Sequence, residues 1–188
     1  MYYHCLSLKH VRCGKIYPYD SQDPWFANCY KWIGKYCGYC PQIWLSRSHS
    51  QITGIRSDKN FVLFGFEDVV GFPIDYDWWC LILNVIINFH LSGKDVEKDF
   101  DRLNVKIWEE VQELYAEDTD DELSKADDFD SWMSNCLLIK NNQVVVPSLN
   151  LKSAKEVFCR NEKQKKKLRK MGFIEDRIKI RNFSKSAW

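Results

Sequence analysis

Common catalytic signatures are missing from this chain. It contains no phosphate-binding P-loop, no glycine-rich dinucleotide fingerprint, no H-E-x-x-H pair and no Ser-His-Asp motif, which counts against the widespread enzyme classes that depend on them. Long hydrophobic runs are also scarce. The longest, "WWCLILNVIINFHL" from Trp78 to Leu91, is 14 residues long and is interrupted by Asn84, Asn88 and His90. That is too short for a membrane span and suits a buried core element. The first residues, "MYYHCLSLKH", lack the basic segment followed by an apolar one that marks a secretory signal. An intracellular, cytoplasmic setting is therefore expected, where eight cysteines serve as thiols or metal ligands rather than as a disulfide framework.

What is present is a large apolar and aromatic fraction, 45% and 15% of 188 residues, enough to bury a core. The net charge of +1 hides two opposed blocks. Residues 94–130 hold 15 acidic and 5 basic groups, a balance of −10, and residues 151–188 hold 13 Lys or Arg against 4 Asp or Glu, a balance of +9. Such blocks mark partners of opposite charge, or neutralise one another within a fold or a dimer.

The fold expected is α+β, a single compact domain over 1–188 with three subregions. Residues 1–60, rich in Cys, His and aromatics and punctuated by Gly14, Pro18, Pro24, Gly34, Gly38, Pro41 and Gly54, suit short strands and turns better than long helices. Residues 61–135 combine a strand pair with a helical, acidic core. "NFVLFGF" (60–66) and "VVGFPI" (69–74) form the pair around Glu67 and Asp68, Pro73 placing the second at an edge. Asp77 can cap a buried helix closed by Ser92 and Gly93, with a strand as the rival reading because of the β-branched content. The spacing of Val96, Phe100, Leu103, Ile107, Val111 and Leu114 predicts an amphipathic helix, and a further acidic helix is expected over about 121–133. Residues 136–188 should carry a hairpin "LLIKNNQVVV" turning at Asn141 and Asn142, a helix capped by Ser153, a basic helix capped by Asn161 and stopped at Gly172, and a strand around Ile178 and Ile180.

Three chemistries compete for the pair Cys37 and Cys40 in "KYCGYCPQIW". Two-residue spacing lets a tight turn present both thiolates to one tetrahedral ion, and "HVRCGK" places His10 and Cys13 at matching spacing. The set His10, Cys13, Cys37 and Cys40, with Cys5 or Cys29 as substitutes, resembles a zinc ribbon over about residues 10–41, with zinc as the implied ion. The bland alternative is burial of cysteine as a small hydrophobe. The C-G-Y-C order also resembles a thioredoxin-like dithiol, which implies a redox protein with Cys37 at a helix N-terminus and Pro73 packed opposite. A third resemblance, to the His-Asn-His nucleases, rests on Cys37 and Cys40 followed by His49 and Asn60. It implies metal-dependent cleavage with His49 activating water and Asn60 positioning the turn.

The strongest charge signal is "RNEKQKKKLRKMGF". On a helix, Lys163, Lys166, Lys167 and Lys170 share one ridge, and Arg177, Lys179 and Arg181 extend it, with Phe173, Phe183 and Trp188 available for stacking on bases. The acidic residues 95–130 could meet a basic protein surface, and Asp75 and Asp77 read as caps before they read as a catalytic pair. The expectation is a non-enzymatic, intracellular binding or regulatory protein that acts on a nucleic acid or nucleoprotein partner through charged surfaces, with zinc as a structural ion and no membrane contact.

Overall fold

A computed structural model describes residues 1–12, 15–16, 24–38, 43–47, 59–67, 69–74, 76–114, 116, 125–138 and 143–183. The architecture is α+β, as the sequence led us to expect. The chain gathers into two compact units, and neither is continuous in sequence. One takes residues 1–19, 42–71 and 142–188; the other takes 20–41 and 72–141. These units cut across the three sequence blocks 1–60, 61–135 and 136–188.

The first unit is built on a sheet. Its strands are β1 (Tyr2–Ser7), β4 (Ile43–Ser46), β5 (Phe61–Phe66), β7 (Gln143–Val146), β8 (Glu156–Cys159) and β9 (Ile178–Ile180). They lie in the order β7-β4-β1-β5-β8-β9. All neighbours are antiparallel except β8 and β9, which run parallel, Val157 opposite Ile178 and Cys159 opposite Ile180. A short ribbon of β2 (Val11–Arg12) and β3 (Lys15–Ile16) follows a 3-10 turn at Leu8–His10.

β5 is buried along almost its whole length, on both faces, which marks a central strand. β1 and β8 occupy its two edges, so it does not form the expected hairpin with residues 69–74. Alternation along the strands sends Val62, Phe64, Val157, Cys159 and Ile178 to one core and Tyr3, Leu63 and Phe158 to the other, with Phe183.

Parallel strands need a crossover, and α5 (Glu162–Lys170) supplies it between β8 and β9. Its apolar contribution is narrow. Leu168 enters the first core beside Phe173, with Met171 packed against it. The tail therefore departs from expectation at one place: the segment after Ser153 is not a helix. Leu151–Ser153 form a 3-10 turn capped by Asn150, whose side chain accepts from the Lys152 amide, and β8 follows at once. Two buried faces suit a strand here, which overrides the capping signal at Ser153.

The second unit is helical, with α1 (Pro24–Cys37), β6 (Phe72–Ile74), α2 (Tyr76–Leu91), α3 (Phe100–Leu114) and α4 (Phe129–Leu138). α1 is 14 residues long and corrects the expectation that the first 60 residues hold no long helix. Pro24 occupies its first position, where its missing N–H costs nothing. Cys29, Trp32 and Ile33 are its buried stripe, and Gly38, at φ +73°, is its left-handed stop.

α2 matches the buried apolar run, and Gly93 at φ +79° closes it. It begins at Tyr76, so Asp77 sits inside the first turn rather than before the helix. Leu103, Ile107 and Val111 of α3 are buried as the periodicity requires, but Leu114 is 59% exposed.

α4 carries Trp132, Met133 and Cys136 into the core and includes Leu137 and Leu138. The first limb of the expected hairpin is therefore the end of a helix, and its turn at Asn141 and Asn142 lies outside the described residues. Of the acidic helix expected over 121–133, residues 121–124 lie outside them too, 125–128 are not α-helical, and 129–133 are the start of α4. The core here is aromatic. Trp32 stacks on Tyr36 at 5.6 Å and meets Phe72 edge-on at 6.3 Å, and Phe72 meets Trp78 at 6.2 Å, arrangements that add to plain area burial. Trp32 Nε1 donates to Asn104 Oδ1 at 2.9 Å, which gives the buried indole its partner.

Candidate functional site

The basic helix is the best-defined surface feature of the first unit, and its N-terminus shows how it is held. Asn161 is the N-cap, with its side-chain oxygen accepting from the Gln164 amide at 3.0 Å. Gln164, only 7% exposed, answers with all its polar atoms. Its Oε1 accepts from the Arg160 amide at 2.7 Å, and its Nε2 donates to the Lys59 carbonyl at 2.7 Å. The arrangement is a variant of the capping box, the N3 side chain reaching the amide before the N-cap instead of that of the N-cap itself, and both the oxygen and the nitrogen of this buried amide have a partner. At the other end Met171 and Gly172 donate back to the last carbonyls, and Gly172 adopts φ +84°.

With both ends pinned and Leu168 buried, the helix presents its cations in two classes. Lys165 and Arg169 lie one turn apart and share Glu175, at 3.7 Å and 3.1 Å. Lys163, Lys166, Lys167 and Lys170 are exposed and form no ion pair among the described residues. The ridge expected from the sequence is therefore present, and its carboxylate partner serves the neighbouring row of cations.

The proposed extension of the ridge is trimmed. Arg177 donates from its guanidinium to the Ala154 carbonyl at 3.0 Å, tying the 3-10 turn at Glu175–Arg177 to the start of β8. Lys179 Nζ donates to Glu156 Oε2 at 2.8 Å, and its ammonium lies over the Phe158 ring. Arg181 covers the same ring at 5.3 Å and Arg160 covers Phe183 at 5.1 Å. Glu156 is shared. Its other oxygen accepts from Tyr3 Oη at 2.8 Å, and burial first, then the bond to Glu156, push the Tyr3 hydroxyl far above its ordinary pKa. These contacts assign Arg177 and Lys179 to the sheet. Phe173 and Phe183 are 8% and 3% exposed, so neither offers a ring face for stacking; Trp188 lies outside the described residues.

Sequence reasoning missed Lys152. The 3-10 turn capped by Asn150 places this exposed lysine so that its Nζ lies 3.3 Å from where a Cβ at Gly172 would stand. It thus sits beside the C-terminal turn of α5, and like the four ridge lysines it forms no ion pair among the described residues. The only signal in sequence is the Asn150 cap; its closeness to Gly172 depends on the crossover.

The cysteine readings meet the structure only in part. His10 ends the 3-10 turn after β1 in the first unit, and Cys37 is the last residue of α1 in the second. Cys13, Cys40 and His49 lie outside the described residues, as does Asp75. Cys37 stands at the C-terminal end of its helix, the opposite end from the one at which a dithiol gains from the helix dipole, and Gly38 between the two cysteines is the helix stop. Asn60 lies in the turn before β5, where its carbonyl accepts from the Leu8 amide at 3.2 Å. Among the described residues no three His, Cys, Asp or Glu side chains gather in a group able to hold a metal.

An open groove of about 450 Å³ runs along α1 in the second unit, lined by Gly34, Lys35 and Gly38. Lys31 and Glu97 line it too and pair at 3.6 Å. Tyr30, also in its lining, has its pKa pushed up to about 12, chiefly by burial and then by Cys29. No helix among the described residues is long and apolar enough to cross a membrane.

No protein-family model, curated protein or solved structure matches the chain.

Proposed function

We propose that this is a non-enzymatic binding protein whose α5 lysine ridge holds the phosphates of a nucleic acid, free or within a nucleoprotein. One observation carries this reading. On the same short helix Lys165 and Arg169 share the carboxylate of Glu175, whereas Lys163, Lys166, Lys167 and Lys170 are exposed and form no ion pair among the described residues. A helix surface that only balanced internal acidic charge would have its cations drawn to carboxylates; this one keeps a row of four available to a mobile polyanion. Each lysine that meets a phosphate releases condensed counterions, so affinity gained this way falls steeply with salt.

The test is a salt titration of nucleic-acid binding by the intact chain and by a variant with Lys163, Lys166, Lys167 and Lys170 all changed to Glu. The four ridge lysines together should contribute about −3 to −4 to the slope of log K against log salt of the intact chain, at about 0.9 per phosphate on a duplex. The variant should lose binding and retain its melting temperature. Equal binding by the folded variant would sink the proposal.

A further inference from the structure

The surroundings of the ridge point to the kind of nucleic acid. Proteins that grip single strands do so by stacking bases on exposed aromatic rings or arginine planes over a cationic groove. Among the described residues near α5 those means are already committed. Phe173 and Phe183 are buried, Phe158 lies beneath Lys179 and Arg181, and the Arg160 guanidinium is laid on Phe183. Sequence readout of a duplex uses bidentate contacts to base edges from arginine, lysine, asparagine or glutamine, and of these lysine, a rotating point charge, lacks the rigid fork that fixes a geometry. Here Arg169 is paired with Glu175, and the amide of Gln164 is buried and bonded to the backbone through both its oxygen and its nitrogen.

Among the described residues around α5 this leaves five unpaired lysines, which act on phosphates as point charges without a directional fork. Four lie on α5, and Lys152 stands beside the turn that ends it. From Lys163 to Lys170 the helix rises about 10 Å. That is roughly three nucleotide steps of one strand at 3.4 Å each.

We infer that the ridge and Lys152 together track the phosphates of a double-stranded nucleic acid, and that they do so without reading its sequence. The inference rests on the phosphate-binding reading above and narrows it. A duplex also offers the higher charge density, about 0.9 counterions released per contact against about 0.7 for a single strand, so lysines acting by charge alone favour it.

The experiment uses the full chain, two short duplexes of unrelated sequence, the corresponding single strands, and polyglutamate as an acidic control. The duplexes should bind alike and the single strands several-fold more weakly at equal salt. Lys152→Gln should reduce the salt slope by about 1 on both duplexes equally, and Lys152→Arg should restore it. Tighter binding of single strands, a marked preference for one duplex, or an unchanged slope in a folded Lys152→Gln protein would overturn the inference while leaving nucleic-acid binding in place. Binding of polyglutamate with no binding of any nucleic acid would instead remove the underlying reading.

Discussion

Arg169 and Glu175 lie 3.1 Å apart, guanidinium nitrogen to carboxylate oxygen, and the other oxygen of that carboxylate faces Lys165 at 3.7 Å. This acid decides which cations of α5 remain available. Its removal should therefore strengthen binding, an unusual direction for a substitution that breaks ion pairs. Glu175→Gln is expected to steepen the salt slope of nucleic-acid binding by about 1 to 2, at about 0.9 for each phosphate newly contacted, and to raise affinity at low salt. Because exposed pairs contribute little, the stability loss should stay below about 1 kcal/mol. A fluorescence-anisotropy titration at several salt concentrations, beside a urea denaturation curve, measures both.

Asn161 governs whether the ridge exists as a ridge. Its side chain caps the Gln164 amide, so Asn161→Ala should cost about 1 kcal/mol, within the usual 0.5–2 range for caps, while Asn161→Asp should retain most of the stability. The readout is the denaturant midpoint at unchanged slope. Nucleic-acid affinity should fall only to the extent that the first turn of α5 frays.

Gly172 joins two requirements at one position. It adopts φ +84°, and a Cβ there would stand 3.3 Å from the Lys152 amine. Gly172→Ala should destabilise by about 1–2 kcal/mol through the left-handed backbone alone, and it should also push Lys152 away from the end of α5. Gly172→Asn, better tolerated in this conformation, separates the effects. Its backbone cost should be smaller, yet the salt slope should still fall if Lys152 is displaced. Calorimetry and the binding titration read the two quantities independently.

His4 should make stability depend on pH. Its Nδ1–H donates to the Trp44 carbonyl at 2.9 Å, and burial holds its pKa below the ordinary value, an effect the bond to Trp44 only partly opposes. The neutral ring is thus the form the fold favours. With the folded pKa below the unfolded value of about 6.5, the contribution is complete above that value and is lost as pH falls below it toward the folded pKa. Within this window the unfolded chain binds the extra proton, so the loss is at most about 1.4 kcal/mol per pH unit. Denaturation midpoints at pH 7.5 and 5.5, for the native chain and for His4→Leu, check this; the variant should be weaker at both and flatter between them.

Elements with one strong local signal were legible without coordinates. The three- and four-residue spacing of Leu103, Ile107 and Val111 marks α3, and Asn161 with Gly172 brackets α5 closely. Signals that punctuate the chain were less direct. Pro24 and Gly38 read as turn formers, yet they are the first residue and the stop of α1, because proline and glycine favour those helix positions for the same conformational reasons that favour turns. β8 was hidden for a different reason. Its Val157, Phe158 and Cys159 are all buried, so no polar alternation announces a strand, and the serine before it imitates a helix cap.

Of the candidate site, the row Lys163, Lys166, Lys167 and Lys170 follows from the sequence alone, since helical periodicity places those four on one face once Leu168 is buried. Tertiary structure decided the rest. It placed Glu175 against Lys165 and Arg169, set Arg177 and Lys179 to work on the sheet, buried Phe173 and Phe183, and brought Lys152 to the end of α5. Local periodicity specifies which face a residue takes on its own helix. Which charge finds a partner depends on where the parallel β8–α5–β9 crossover sets distant residues side by side, and that arises only when β8 and β9 pair within the sheet.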